Sequence, residues 1–293
     1  MSDVLGSLHH TTDVSQTRKL ETNPPLHNVN GGTYHDGHVY LVTNGGTVRG
    51  LYRVNATTGE AETILNNYRG RRFNSPNDLI FDSRGNIIFT DPTYGWYKWP
   101  GVQAPELPTA VYHFNPHSGA VTAMTNDVVA MPNGLALSRD ESVLYVADSA
   151  STPTSGGNLS SPRNVWAFDI HGAVLSNPRV IYVADSGWPD GIRITENGYM
   201  FIAVAGGVDV IDPTTAQYLG KINTSGDTIF NLEPARGKDT GVWLLTGLNH
   251  IYKVTISEKG AVGPVEKETA RLDSSVMEAV LSAWKSSKEK EEL

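Results

Sequence analysis

The chain contains no cysteine. That excludes disulfides, thiolate metal sites and a cysteine nucleophile, and it is compatible with a cytoplasmic protein. Residues 1–7 carry neither a basic flank nor a long apolar core, so no secretory leader is expected and the three Asn-x-Ser/Thr sequons, at Asn55, Asn158 and Asn223, are read as chance. No window approaches the roughly 18 apolar residues of a membrane-spanning helix. Basic residues are the minority, 23 Lys and Arg against 31 Asp and Glu for a net charge of −8. A nucleic-acid partner, which needs a basic patch, is not expected. Also missing are the Gly-x-Ser-x-Gly elbow of serine hydrolases, a phosphate-binding P-loop and a dinucleotide fingerprint, while His113 and His117 fall on an outer hairpin and are read as structural or exposed.

What the chain has in quantity is turn formers, 29 glycines and 16 prolines. They separate short apolar runs into repeated strand–turn–strand units. One unit runs from Asn30 through the strand His38–Val42 to Glu60–Leu65. The next starts at Leu79–Phe81, turns at Asp82–Asn86 and returns through Ile87–Thr90, with an outer hairpin around Asn115–Gly119. Leu135–Leu137 and Ile192–Ile194 open the third and fourth, and Ile229–Leu232 opens a weaker fifth. Each unit reads as a four-stranded meander of about 40 to 55 residues, the size of a propeller blade. Segments near the two termini are expected to supply a sixth blade, which would close the ring and remove free sheet edges. The expected fold is a single all-β domain over residues 1–293, a six-bladed β-propeller, with a β-sandwich as the alternative. Residues 1–29 form an N-terminal extension. Residues 273–293 are expected to form a short helix with Val276, Met277, Val280, Leu281 and Trp284 on one face, followed by a charged tail.

Three polar turns fall at matching points of successive units: Ser75-Pro76-Asn77-Asp78, Met131-Pro132-Asn133-Gly134 and Trp188-Pro189-Asp190-Gly191. Each precedes an innermost strand. In a circular repeat, Asn77, Asn133 and Asp190 would converge on one axis. Two amide oxygens and a carboxylate meeting there make a site for a hard cation, most naturally calcium. Asp78 is expected to brace its own turn. Tyr94, Trp96 and Trp99 lie in an aromatic insertion that directly follows an innermost strand. They are candidates for a lid over the site, with Tyr94 and Trp96 touching substrate. Trp188 precedes an axial residue, Asn231 opens the fifth unit, and His35 follows the Asn30 turn. These three are further candidate substrate contacts. A second insertion, Ser149–Pro162, rich in Ser, Thr and Gly, is expected to be a mobile loop.

The segments Arg71–Leu79 and Phe89–Gly95, with Pro132-Asn133-Gly134-Leu135 and Pro189-Asp190-Gly191, resemble the gluconolactonase family. That family includes senescence marker protein and luciferin-regenerating enzyme, and the resemblance is greatest to its fungal lactonohydrolase-like members. It extends roughly from Asn30 to Val254. It implies a six-bladed propeller with one divalent cation on its axis, usually calcium and sometimes zinc, manganese or magnesium. It also implies hydrolysis of a lactone or related ester of small-molecule or secondary metabolism. The family holds its metal with Glu, Asn, Asn and Asp. The last three correspond to Asn77, Asn133 and Asp190, and the position of the Glu falls on Asn30. One carboxylate among four ligands leaves half of the cation's charge unneutralised. The exchange therefore implies weak metal binding, a substrate anion recruited as a further ligand, or a site that works without metal.

The expected chemistry is cation-assisted attack of water on a lactone carbonyl, with Asp190 as the base. Two other readings stay open. One is a biosynthetic propeller of changed chemistry, a cyclase, isomerase or condensing enzyme with weak or no metal. The other is a binding module without catalysis.

Overall fold

The computed structural model describes residues 9–10, 18–46, 48–125, 127–234, 241–256 and 260. The strands β1 (His9–His10) and β2 (Arg18–Lys19) form a short antiparallel pair. The first large sheet follows, with β3 (Val29–His35), β4 (His38–Thr43), β5 (Gly50–Val54) and β6 (Ala61–Leu65) in sequence order. A small hairpin of β7 (Asn67–Tyr68) and β8 (Arg71–Arg72) leads to the second sheet. That sheet comprises β9 (Leu79–Phe81), β10 (Ile87–Asp91), β11 (Ala110–Asn115) and β12 (Ala120–Thr125), with the one-turn helix α1 (Tyr94–Lys98) inserted after β10. The third sheet is β13 (Pro132–Leu137), β14 (Val143–Asp148), β15 (Asn164–His171) and β16 (Val174–Val183). The fourth has five strands, β17 (Ile192–Ile194), β18 (Met200–Asp212), β19 (Gln217–Pro234), β20 (Val242–Gly247) and β21 (Ile251–Thr255). Every neighbouring pair is antiparallel.

The two-residue period of a strand explains how the sheets stack. In β10, Ile87 and Phe89 join the core shared with Val42 and Leu51 of the first sheet. Ile88, between them, joins the core shared with Leu135, Leu144 and Val146 of the third. In β14, Tyr145 and Ala147 point the other way, into the core with Ile192, Met200 and Ile202 of the fourth. Each sheet is therefore apolar on both faces. That is why the strands read as near-continuous hydrophobic runs and why the sheets pack as blades.

The expectation of six blades does not hold. The described residues form four large sheets, an all-β propeller arrangement of four blades. The fourth and fifth sequence units belong to one sheet, because β18 and β19 run unbroken through both. The register slips between Ala205 and Gly207, where Gly206 and Gly207 take positive φ values of 77° and 144°. The sheet bends there, so that Phe201 and Ala203 on one half pack against Trp243 and Leu245 on the other. Of helix, the described residues have α1 and a 3₁₀ turn at Pro153–Ser155. The helix expected within 273–293 lies outside the described residues. No described helix is long and apolar enough to cross a membrane.

Candidate active site

The starts of the innermost strands meet because glycine lets them. Gly31, Gly134 and Gly191 follow Asn30, Asn133 and Asp190. A Cβ on Gly31 would lie 2.3 Å from the carbonyl oxygen of Asn77, and one on Gly134 would lie 2.3 Å from that of Asp190. One on Gly191 would lie 2.4 Å from Oδ1 of Asn231. All three are closer than a carbon atom can approach, so each glycine is a seat for the next polar residue in the ring. Hydrogen bonds close the same contacts. The Gly31 N–H donates to the Asn77 carbonyl and the Gly191 N–H to the Phe230 carbonyl, both at 2.9 Å. The Thr90 hydroxyl donates to the Asn133 carbonyl at 2.9 Å.

Two of the polar turns are braced from behind. Asp91, the last residue of β10, accepts the N–H groups of Asn74 and Ser75 at 2.9 and 2.7 Å. Asp148, the last residue of β14, accepts those of Ala130 and Met131 at 2.8 and 3.0 Å. Both carboxylates end their strands and hold the residues just before Pro76-Asn77 and Pro132-Asn133. Val204 occupies this place behind Asp190, since the Asp190 N–H donates to Ala203 as the Asn77 N–H donates to Thr90. With no carboxylate there, the strand continues.

The ring forms the floor of a cavity of about 220 Å³. Asn30, Asn77, Asp78, Asn133, Asp190 and Asn231 line it, with Tyr94, Lys98 and Trp188 among the residues above. Asn133 donates its side-chain amide to the Ser149 hydroxyl at 3.1 Å. Asn30 donates its amide to the Asn77 carbonyl at 3.0 Å. Trp188 points its indole N–H at Oδ2 of Asp190, 3.4 Å away. Asp190 keeps part of its surface open to the cavity, yet the surrounding protein desolvates it. Burial, with a contribution from Asp78, pushes its pKa up to about 7 against the opposing pull of Trp188, Asn133 and Lys98. Asp78 is 3% exposed. Its Oδ1 accepts the Leu79 N–H at 2.9 Å, as its turn-bracing role requires, while its Oδ2 is buried without a hydrogen-bond partner. Burial raises the Asp78 carboxyl to about 6 despite the Arg193 guanidinium.

The floor is thus rich in oxygen and short of positive charge. No cluster of three or more His, Asp or Glu suited to a metal occurs among the described residues. Amide oxygens with one carboxylate match a hard, oxygen-liganded cation such as calcium. They do not match the nitrogen and sulfur ligands that zinc favours.

Seven of the sequence candidates come together here: Asn30, Asn77, Asn133, Asp190, Tyr94, Trp188 and Asn231. Two lie elsewhere. His35 stacks on Phe81 with ring centroids 3.8 Å apart, at the turn end of the β3–β4 hairpin. Trp96 is 45% exposed on the outer side of α1. Trp99 serves as an anchor, its indole N–H bonded to Oδ1 of Asn44 at 2.9 Å. The loop at 149–162 is tied down, with Ser149 donating to the Pro189 carbonyl at 2.5 Å and Ser151 to the Gly187 carbonyl at 3.0 Å. Sequence reading missed Lys98, Asn44, Thr152 and Thr154, which also line the cavity. For Lys98 the signal was present: it is the basic residue of the aromatic insertion that follows β10.

The sequence matches the family model described as the SMP-30/gluconolactonase/LRE-like region over residues 1–230. The chain belongs to this family. It is 32% identical over 264 residues to lactonohydrolase oryL of Aspergillus oryzae, covering 81% of this chain and 59% of that protein. It is 32% identical over 188 residues to the gluconolactonase of Zymomonas mobilis, covering 61% of this chain and 49% of that one. The chain therefore spans only about half to three-fifths of the length of these curated relatives. Among solved structures it is similar to XC5397 of Xanthomonas campestris, a gluconolactonase described as important in glucose secondary metabolic pathways. There the TM-score is 0.69 at 28% identity, over 82% of this chain and 75% of that one.

Proposed function

We propose that this chain hydrolyses a lactone or related cyclic ester of small-molecule, secondary metabolism at the axial cavity, with the aid of a divalent cation. The observation that carries this reading is the ring of Asn77, Asn133 and Asp190 on the cavity floor, where a desolvated carboxylate faces amide oxygens. Those three residues would hold the cation, calcium by their donor chemistry, with Asn30 beside them. When bound, such an ion supplies Lewis acidity toward an ester carbonyl. The relatives named lactonohydrolase and gluconolactonase support the reaction class.

The chain's own residues do the rest. Trp188 and Asn133 orient the Asp190 carboxylate. Asp190 accepts a proton from the water that adds to the ring carbonyl. The ring C–O bond then breaks, the proton passes to the departing alkoxide oxygen, and a hydroxy acid leaves. Ser149 fixes Asn133, and the buried Tyr94, its hydroxyl donating to the Met131 carbonyl at 3.1 Å, walls the cavity.

The test is an assay of a panel of lactones with chelator-treated and calcium-supplemented protein, beside Asp190→Asn. We expect turnover that calcium restores and a loss of about a hundredfold or more in kcat for the variant. Full activity in the variant would remove Asp190 from the mechanism. A second reading, a cyclising or condensing enzyme that needs no metal, is favoured by one feature. Asn30 brings no charge to the ring and spends its amide on the Asn77 carbonyl. Calcium-independent folding with no turnover of any lactone would select it.

A further inference from the structure

We propose that Lys98 is the anion-recognising group of the axial cavity and that the preferred substrate is a lactone bearing a carboxylate. The proposal rests on the lactonase reading and adds a substrate class to it.

Lys98 is held in place at both ends of its short helix. At the start, the Gly95 N–H donates to the Ser75 hydroxyl at 2.7 Å. A Cβ on Gly95 would lie 1.9 Å from the Asn44 carbonyl oxygen, so the backbone itself rests on Asn44. At the end, Trp99 bonds the Asn44 side chain, as described above, and its N–H donates to the Gly95 carbonyl at 3.0 Å. The Lys98 ammonium lies 4.8 Å from the centroid of the Trp99 ring. The indole face therefore steadies the side chain through a cation–π contact, and the residue lines the cavity.

Position alone does not explain a lysine there. Other cations withdrawn from solvent are met by protein acceptors: Arg193 pairs with Glu233 at 2.9 Å and Arg49 donates to the Asn74 carbonyl at 2.5 Å. Lys98 has no carboxylate within ion-pair distance among the described residues. The carboxylates that line the cavity are Asp78 and Asp190. Asp78 is turned to its own backbone, and Asp190 belongs to the floor. A cation held by Asp190 would consume its attraction for Lys98. An ammonium in a desolvated cavity needs an anion, and the bound molecule is the remaining source. Thr152 and Thr154 add hydroxyl donors to the lining. A carboxylate, with several acceptor positions, can use ammonium and hydroxyl together. A volume of about 220 Å³ admits a small ring with one such substituent.

The test compares γ-butyrolactone with its carboxylated counterpart, 5-oxotetrahydrofuran-2-carboxylate, using the full chain with calcium. In Lys98→Met, the ratio of kcat/KM for the charged lactone to that for the neutral one should fall about tenfold to a hundredfold, the loss of one charge-assisted hydrogen bond. The loss should appear mainly in KM, and Lys98→Arg should keep most of the ratio. An unchanged ratio would overturn the proposal and leave Lys98 as a companion of Asp190. A second measurement needs no turnover. Calorimetric binding of 2-hydroxyglutarate, the ring-opened product, should weaken about tenfold in Lys98→Met, with thermal unfolding checking that the variant is folded. If wild-type protein does not bind it, or the variant binds equally well, the proposal fails. Lys98-dependent binding without turnover of either lactone would count against the lactonase reading alone. Turnover of the neutral lactone with no Lys98-dependent binding would count against the anion alone.

Discussion

Asn30 donates its side-chain amide to the backbone carbonyl of Asn77 at 3.0 Å, and the same carbonyl accepts the N–H of Gly31 at 2.9 Å. Asn30 thus ties the first blade to the second, at the position where the resemblance to the family implies a metal-binding glutamate. In our proposal it trades a charge on the axis for a bond between blades.

Asn30→Glu tests that trade. The exchange adds a third carboxylate to a lining that already holds Asp78 and Asp190, and it removes the amide donor. Calcium binding, measured by calorimetry, should tighten about tenfold or more. Metal-free stability in denaturant should drop by about 1 kcal/mol, since Gly31 still serves the Asn77 carbonyl. Unchanged calcium affinity would show that position 30 does not face the ion.

The buried carboxylates set a pH dependence. Burial raises Asp78 to about 6 and Asp91 and Asp190 each to about 7, against about 3.9 in an unfolded chain. Between those values the native protein holds more protons than the unfolded one. Stability should therefore fall as pH rises from about 4 to about 7, by on the order of 1 kcal/mol per carboxylate per unit. Asp140, held down to about 2 by Ser138 and Ser142, loses its contribution only at lower pH. Thermal unfolding in chelator should give a higher midpoint at pH 5 than at pH 8, and calcium should raise it most at pH 8. A midpoint that climbs from pH 4 to 7 in chelator would contradict the assigned burial.

Gly134→Ala probes the ring contact. Gly134 has no positive φ, so the added methyl acts by steric contact with the Asp190 carbonyl. Overpacking of this kind costs about 1–3 kcal/mol. Activity should fall as well, because the displaced group is the axial aspartate. Wild-type denaturation and turnover would refute the close approach.

Asp91→Asn and Asp148→Asn probe the braces. Asp91 accepts two N–H groups and Asp148 three, Ala150 adding one at 3.3 Å, and in each variant the oxygen replaced by an amide nitrogen can accept none. Each should lose about 1–3 kcal/mol in denaturant titrations. Losses below about 0.5 kcal/mol, the ordinary range of surface changes, would mean that the turns hold themselves.

Much of this molecule is written in local sequence. The Pro-Asn and Pro-Asp turns, the apolar strands after them and the glycines that follow Asn30, Asn133 and Asp190 are short-range signals. The structure places the corresponding residues in one ring. The number of blades was not legible this way. A turn signal is the same whether the next hairpin starts a new sheet or extends the last one, and β18 and β19 extend it through the bend at Gly206-Gly207. Side-chain direction in the aromatic insertion was equally hidden. In a single helical turn a shift of one or two positions separates inside from outside, so Tyr94 is buried while Trp96 faces outward. Which polar residues stand at the strand starts follows from the chain alone, because turn chemistry and period are local. Which charges share the cavity follows only from packing, because Asp190 and Lys98 come to line it from a blade and an insertion far apart in the chain.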